Sequence, residues 1–184
     1  MEPLLITIIT IQLLVGASLL LSIFSSFRIW PPPGTWTWQF FFTWGSAGFS
    51  AIGFVILGIA HFQGFGLHSL AGGVIFLVGE RLRYKSIKTL SLPTTVGLKG
   101  NLITDGPYKW SRNPMYIADI MNIFGAALFF NTTYTWIIFV PWCCWFLLAP
   151  FAEEPWLKKQ YGEEYENYAK KTPRFFIHPS HKTV

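Results

Sequence analysis

Charge is what this sequence has least of. Only 12% of its 184 residues are Asp, Glu, Lys or Arg, against roughly a quarter in ordinary soluble chains. None of the four occurs from Pro3 to Phe27, from Ile29 to Gly79 or from Ile120 to Ala152, and a helix needs only about 20 apolar residues to cross the hydrocarbon of a bilayer. Such stretches exclude an ordinary soluble domain and imply an integral, multi-pass membrane protein whose solvent is the lipid bilayer. Cysteine is nearly absent too. Cys143 and Cys144 are adjacent inside an apolar run, so they form neither a disulfide framework nor a metal site and read as fillers. The four histidines, His61, His68, His178 and His181, lack a further ligand at metal-binding spacing, and no metal is expected. Gly-rich phosphate loops, Gly-x-Ser-x-Gly and His-Glu-x-x-His are all missing.

What is present is apolar and aromatic: 52% and 18% of the chain. The pattern predicts an all-α, polytopic membrane bundle of about five transmembrane helices, followed by an amphipathic C-terminal helix. The expected spans are Leu4 to Phe27, Trp36 to Ala60, Leu67 to Gly79, Met115 to Phe130, and Tyr134 to Ala149, with Pro150 ending the last because proline lacks the helical donor. Gly45, Gly48, Gly53 and Gly58 in the second span are expected to let helices approach closely. Residues Glu80 to Arg112 read as a long polar connection, and connections of that length are often functional. The first apolar run follows no basic segment and ends in no small-residue cleavage pattern, so it is expected to remain as a helix. With no linker or repeat, 1–184 reads as one domain, 1–66 supplying N-terminal spans and 67–177 the core.

The net charge of +5 does not argue for nucleic acid. Five spans with the amino terminus outside put Arg28, the basic residues from Arg81 to Arg112, and those from Lys158 to Lys182 on one side. No lysine or arginine is left for the other, which by the positive-inside rule makes that side and the C-terminus cytoplasmic. From Pro155 to Lys171, Leu157, Tyr161, Tyr165 and Tyr168 recur at helical spacing, an amphipathic stripe suited to the membrane surface.

Against this background the polar residues beside the spans stand out. Arg112, Tyr116, Asp119 and Asn122 fall on one face of the fourth span; Asp119 and Asn122 serve either as glue between helices or as part of a site, and Arg112 either snorkels or acts. Asn113-Pro114 fits a helix start, whose free N–H groups suit a carboxylate or phosphate. Glu153-Glu154 lies between Pro150 and Pro155, just after a span. A carboxylate there calls for a cation, either a lysine of the basic connection or the ammonium of a ligand.

Taken in order, Leu102-Ile103, Gly106-Pro107-Tyr108, Arg112-Asn113-Pro114-Met115-Tyr116, Glu153-Glu154, Tyr161-Gly162-x-x-Tyr165-x-x-Tyr168 and Thr172-Pro173-Arg174 resemble the isoprenylcysteine carboxyl methyltransferase family and its phospholipid methyltransferase relatives. The resemblance implies a membrane methyltransferase that uses S-adenosyl-L-methionine on the cytoplasmic side under a C-terminal cover. It implies cofactor contacts at Gly100, Asn101, Leu102, Ile103, Tyr108, Asn113, Pro114, Met115, Tyr116 and Glu153. It makes Arg112 the residue that orients the reacting groups and Glu154 a proton acceptor or the holder of Arg112. A lipophilic methyl acceptor is expected to enter laterally from the membrane. Two positions depart from the isoprenylcysteine enzymes: Asn113 stands for a histidine, and Ala149 for an arginine that serves their prenylcysteine substrate. The acceptor is therefore open among an isoprenylcysteine carboxylate, a phospholipid amine and another small lipophile. Outside this reading stand an oxidoreductase similar to the sterol reductases and a non-catalytic membrane binding protein.

Overall fold

The structure, a computed structural model, describes residues 2–90, 92–95 and 100–176. The expectations resting on Lys99, His178, His181 and Lys182 lie outside the described residues. Helices α1 (Pro3–Phe24), α2 (Trp38–Ala60), α3 (Leu67–Leu90), the four-residue α4 (Leu92–Thr95), α5 (Pro114–Phe130), α6 (Thr133–Tyr161) and α7 (Glu163–Lys171) follow in chain order, with a 3-10 turn at Gly106–Lys109. No strand occurs among the described residues. The protein is an all-helical membrane bundle.

Three helices, α1, α2 and α6, are long and apolar enough to cross a membrane, and α5 is a shorter apolar helix. The outward faces fit lipid: Leu13, Leu14, Leu21, Ile52, Ile56 and Ile59 are all exposed, a surface that water would not favour at this density. On the inner face of α1, Leu5, Ile8, Gln12 and Leu19 are buried at helical spacing.

Three sequence-based boundaries move. Helix α6 does not stop at Pro150 but runs through Pro141, Pro150 and Pro155 to Tyr161. Each proline removes one backbone bond, a loss that surrounding packing in a membrane bundle outweighs, and Pro150 is fully buried. The third helix does not end near Gly79 but carries on over the charged residues to Leu90, with Glu80 and Arg83 paired one turn apart at 3.5 Å. The long connection is thereby shortened by three helical turns. The C-terminal amphipathic stretch is divided at Gly162, whose φ of 55° is a conformation that glycine adopts without steric cost.

Helix α5 packs between α3 and α6, and α1 lies against α6 and α2. The tightest crossing is α3 on α5. A Cβ on Gly72 would strike the Phe129 N–H and Gly125 C=O groups, and one on Gly125 would come within 2.6 Å of the Phe76 nitrogen. The expected close approach through the second span holds at Gly53 and Gly58, which face Ile8 and Phe130, whereas Gly45 and Gly48 meet nothing within 4 Å. One buried cluster joins Leu5, Ile8, Phe54, Leu57, Ala127 and Ile138. A second, at the opposite end, joins Leu19, Ile29, Trp30, Tyr116, Ala149 and Ala152. Polar side chains gather around the second.

Candidate functional site

The start of α5 forms one wall. Pro114 occupies the first helical position and Asn113 the cap position, but the Asn113 side chain does not cap the helix. Its amide donates instead to the Arg174 carbonyl at 2.9 Å. The first intrahelical bond comes from the Ile117 N–H to the Asn113 carbonyl, so the N–H groups of Met115 and Tyr116 stay free of the helix's own bonding pattern. Ser111 Oγ also donates to the Arg174 carbonyl, at 3.1 Å, and the Arg112 N–H donates to that of Pro173 at 2.9 Å. The C-terminal strand of chain is thus tied across residues 111–113.

Helix α6 supplies the facing wall, and the two glutamates divide their work. Tyr116 donates its hydroxyl hydrogen to Glu153 Oε2 at 2.7 Å, and Trp30 donates its indole N–H to the Tyr116 oxygen at 2.7 Å. Among the described residues, which leave out Lys99 of the basic connection, no cationic side chain pairs with Glu153. Glu154, by contrast, is held twice. Arg174 bonds both its oxygens at 2.7 Å, and Arg112 lies 3.1 Å from Oε1. Arg112 and Glu154 are only 12% and 14% exposed, which makes this a largely desolvated pair.

The end of α6 and helix α7 close the top. Tyr161 donates to the Gly100 carbonyl and Tyr168 to that of Tyr108, both at 2.7 Å, while Tyr165 is 2% exposed. The Arg112 guanidinium stands 6.0 Å from the Tyr165 ring. The aromatic stripe of the C-terminal segment therefore turns inward, onto the site. Burial pushes the Tyr108, Tyr165 and Tyr168 hydroxyls well above their ordinary range, reinforced by Glu153 at Tyr108 and by Glu154 at Tyr165. Its hydrogen bonds to Glu154 push Arg174 upward in turn.

These walls enclose a cavity of about 90 Å³ whose lining includes Asn101, Leu102, Ile103, Tyr108, Arg112, Asn113, Met115, Tyr116 and Glu153. Gly100 meets its edge through the carbonyl bond to Tyr161. Pro114 is buried behind it in the helix start, and Glu154 stands behind Arg112. Trp30, Trp156 and Leu157 also line it; Leu157 was signalled by the stripe, Trp30 by nothing beyond its proline-rich loop. A larger cavity of about 210 Å³ shares Trp30, Thr95, Met115 and Tyr116 with the first and continues into the bundle to Gln12, Ser50 and Trp142. Asp119 and Arg83 line this second space. Asn122 takes the glue role, donating to Glu80 Oε1 at 2.6 Å. No group of His, Cys, Asp and Glu able to hold a metal occurs among the described residues.

Among the described residues the arrangement offers a carboxylate without a cationic partner, a helix start whose first N–H groups lie outside the helix's own bonding, apolar walls, and wall residues shared with a larger, mainly apolar cavity. A family model described as phospholipid methyltransferase matches residues 66–164, more than half of the chain and most of these walls. No curated protein and no solved structure matches.

Proposed function

We infer, from the premise that this chain belongs to the phospholipid methyltransferase family, that it transfers a methyl group from S-adenosylmethionine in the smaller cavity to a lipophilic acceptor in the larger one. The observation that carries this reading is Glu153, which faces the smaller cavity with a tyrosine bond and no cationic partner among the described residues. A carboxylate so placed fits the ammonium of the amino acid part of that cofactor. The N–H groups of Met115 and Tyr116, which lie outside the helix's own bonding pattern, fit its carboxylate, and Leu102, Ile103 and Leu157 offer an apolar wall to its base. The residues present therefore fit the group.

When bound, S-adenosylmethionine supplies a sulfonium methyl: the acceptor's oxygen, nitrogen or sulfur forms a bond to that carbon as the carbon–sulfur bond breaks and its electron pair stays on sulfur. The chain's contribution is alignment and electrostatics. Arg112, fixed by Glu154 and by the backbone of Pro173, orients the reacting ends. Glu154, bonded by Arg174 and 3.1 Å from Arg112, takes the role of holding Arg112. Met115 and Tyr116 stand where the two cavities meet, which suits the point of transfer.

The prenylcysteine carboxylate is the less favoured acceptor. Ala149 is fully buried beside Trp30 and Tyr116 and offers that carboxylate no cation. A phospholipid amine or another small lipophile fits better. By the distribution of basic residues, the site end of the bundle faces the cytoplasm.

Calorimetric titration of the detergent-purified protein with S-adenosylhomocysteine tests the cofactor assignment. The parent binds, and Glu153→Ala binds at least about tenfold more weakly, the scale of one lost hydrogen bond to a charged group. A parent that does not bind overturns the proposal.

A further inference from the structure

Methylation of a head group that carries a hydrogen leaves one proton to be placed, and the groups already assigned do not take it. Glu153 is committed to the Tyr116 hydroxyl and, on the reading above, to the cofactor's ammonium. Glu154 lines neither cavity and is bonded through both oxygens by Arg174. Arg112 has no acceptor atom, and the tyrosines of the two linings, whose hydroxyls ordinarily ionise at about 10, carry protons of their own. Among the described residues one further carboxylate remains in either lining: Asp119, in the wall of the larger cavity.

Its surroundings set Asp119 apart from a contact between helices. Asn122, three residues on, ties α5 to α3 by donating to Glu80, whereas Asp119 has neither a hydrogen bond nor an ion pair with a described residue. Its oxygens are not among the sealed, unbonded polar atoms, so in this lining they open onto the cavity. Arg83, the cation of the same lining, pairs with Glu80 at 3.5 Å. Those two charges answer each other, and the charge of Asp119 is left over, which beside a membrane span marks a working group. Asp119 also follows Met115 by four residues and Tyr116 by three on α5, a spacing that sets side chains about 5–6 Å apart on one face. Met115 and Tyr116 line both cavities, so Asp119 stands one turn inside the acceptor space from the place where the two meet.

We propose that Asp119 takes the proton released by the methyl acceptor, which confines the acceptor to a lipophile whose reacting head carries a hydrogen: a hydroxyl, a thiol or an ammonium. This rests on the methyltransferase reading and on the larger cavity as the acceptor site. The head's oxygen or sulfur forms its bond to the methyl carbon while the carbon–sulfur bond of the donor breaks with its pair on sulfur. The electron pair of the O–H or S–H bond stays on the head, and the proton passes to Asp119. An ammonium gives up its proton to Asp119 before its nitrogen attacks. Either way a carboxylic acid results, which returns the proton to water once the product leaves. A carboxylate head has no proton to give and meets a like charge at Asp119. The other charged and titratable groups around Asp119 are Glu80 and Arg83 on α3, Tyr108 in the 3-10 turn and Tyr116 on α5; the described walls from α1, α2 and α6 add none.

The test follows labelled methyl from S-adenosylmethionine, with the full chain in phosphatidylcholine vesicles that carry phosphatidylethanolamine, dodecanethiol, 4-hexylphenol or oleate, one at a time. Parent, Asp119→Asn and Asp119→Glu are compared, and S-adenosylhomocysteine binding, measured by calorimetry on the same samples, is unchanged by either substitution. Label enters at least one of the three proton-bearing heads, and no methyl oleate forms. Asp119→Asn lowers transfer at about pH 7 at least about a hundredfold, the scale of a lost general base, and Asp119→Glu restores part of it. Between about pH 7 and 8.5 the parent's rate is nearly level, while that of Asp119→Asn climbs about tenfold per pH unit as the head ionises unaided, a slope that lost packing alone would not produce. Methyl oleate as the main product, or equal transfer by Asp119→Asn, overturns the proposal. So does a parent whose own rate climbs about tenfold per unit, a result that needs no variant to fold. Label in none of the probes from a parent that binds S-adenosylhomocysteine overturns it too and leaves the cofactor assignment standing. A parent that does not bind S-adenosylhomocysteine removes the methyltransferase reading itself, and the role of Asp119 with it.

Discussion

Glu154 carries two guanidiniums, and which member of the trio is removed decides what fails. Without its carboxylate, as in Glu154→Gln, Arg112 and Arg174 lose their shared counter-charge in a largely desolvated place. Without the Arg174 side chain, as in Arg174→Ala, the Arg112–Glu154 pair survives. Glu154→Gln is therefore expected to lower unfolding stability by about 2 kcal/mol and Arg174→Ala by less, a ranking that thermal unfolding in detergent reads directly. The tyrosines give a pH dependence. Burial raises the Tyr108, Tyr165 and Tyr168 hydroxyls above their ordinary 10.0, so the unfolded chain loses these protons first. The stabilisation is complete below that value and is lost as pH rises above it. Melting temperature should change little between about pH 7 and 9 and fall above 10, and Tyr165→Phe should make that fall shallower. At this scale the site was legible in part. Arg112, Glu153 and Glu154 stand out in sequence because charge beside a membrane span is costly, and all three meet at one place. Arg174 was masked by the neighbouring Lys170 and Lys171, which make it one more orientation charge. Trp30 reaches Tyr116 across 86 residues of sequence, a contact that no local pattern encodes.

Among elements, the crossing of α3 on α5 sets the frame, since α5 begins at the site and α3 holds it in place. Adding a Cβ at Gly72 would drive it into backbone of α5, which cannot yield as a side chain can. Gly72→Val is expected to cost at least about 3 kcal/mol or to prevent folding, while Gly48→Ala, where a Cβ meets nothing, is neutral or mildly stabilising through helix propensity. Detergent melts of the two variants check the pair. Element existence was legible from hydrophobic periodicity, and the boundaries that moved did so for tertiary reasons. Pro150 stays helical because it is packed, and α3 outlasts its apolar segment, with Glu80 contacting both Arg83 and Asn122. The second span's four glycines looked equivalent in sequence, and only packing separates the two that face a neighbour from the two that do not.

For the whole molecule, the polar signature in 100–116, the glutamate pair and the aromatic C-terminal stripe converge on one end of an otherwise apolar bundle. The order of those segments along the chain was visible, and so was the family they resemble. Their enclosure of two neighbouring cavities with shared walls was not, because the N-terminal loop at Trp30 and the inward turn at Gly162 complete the walls. The smaller cavity holds the charged and hydrogen-bonding groups, the larger one opens into the spans, and Met115 and Tyr116 are common to both. That junction is the reason to expect a methyl donor on one side and a lipophile on the other. The most direct measurement is transfer of a labelled methyl group from S-adenosylmethionine into organic-extractable material by the purified protein in liposomes made from a membrane lipid extract. Label should appear with the parent and fall at least about tenfold with Glu153→Ala. Equal incorporation by the two proteins, or none by a parent that binds S-adenosylhomocysteine, would contradict the account.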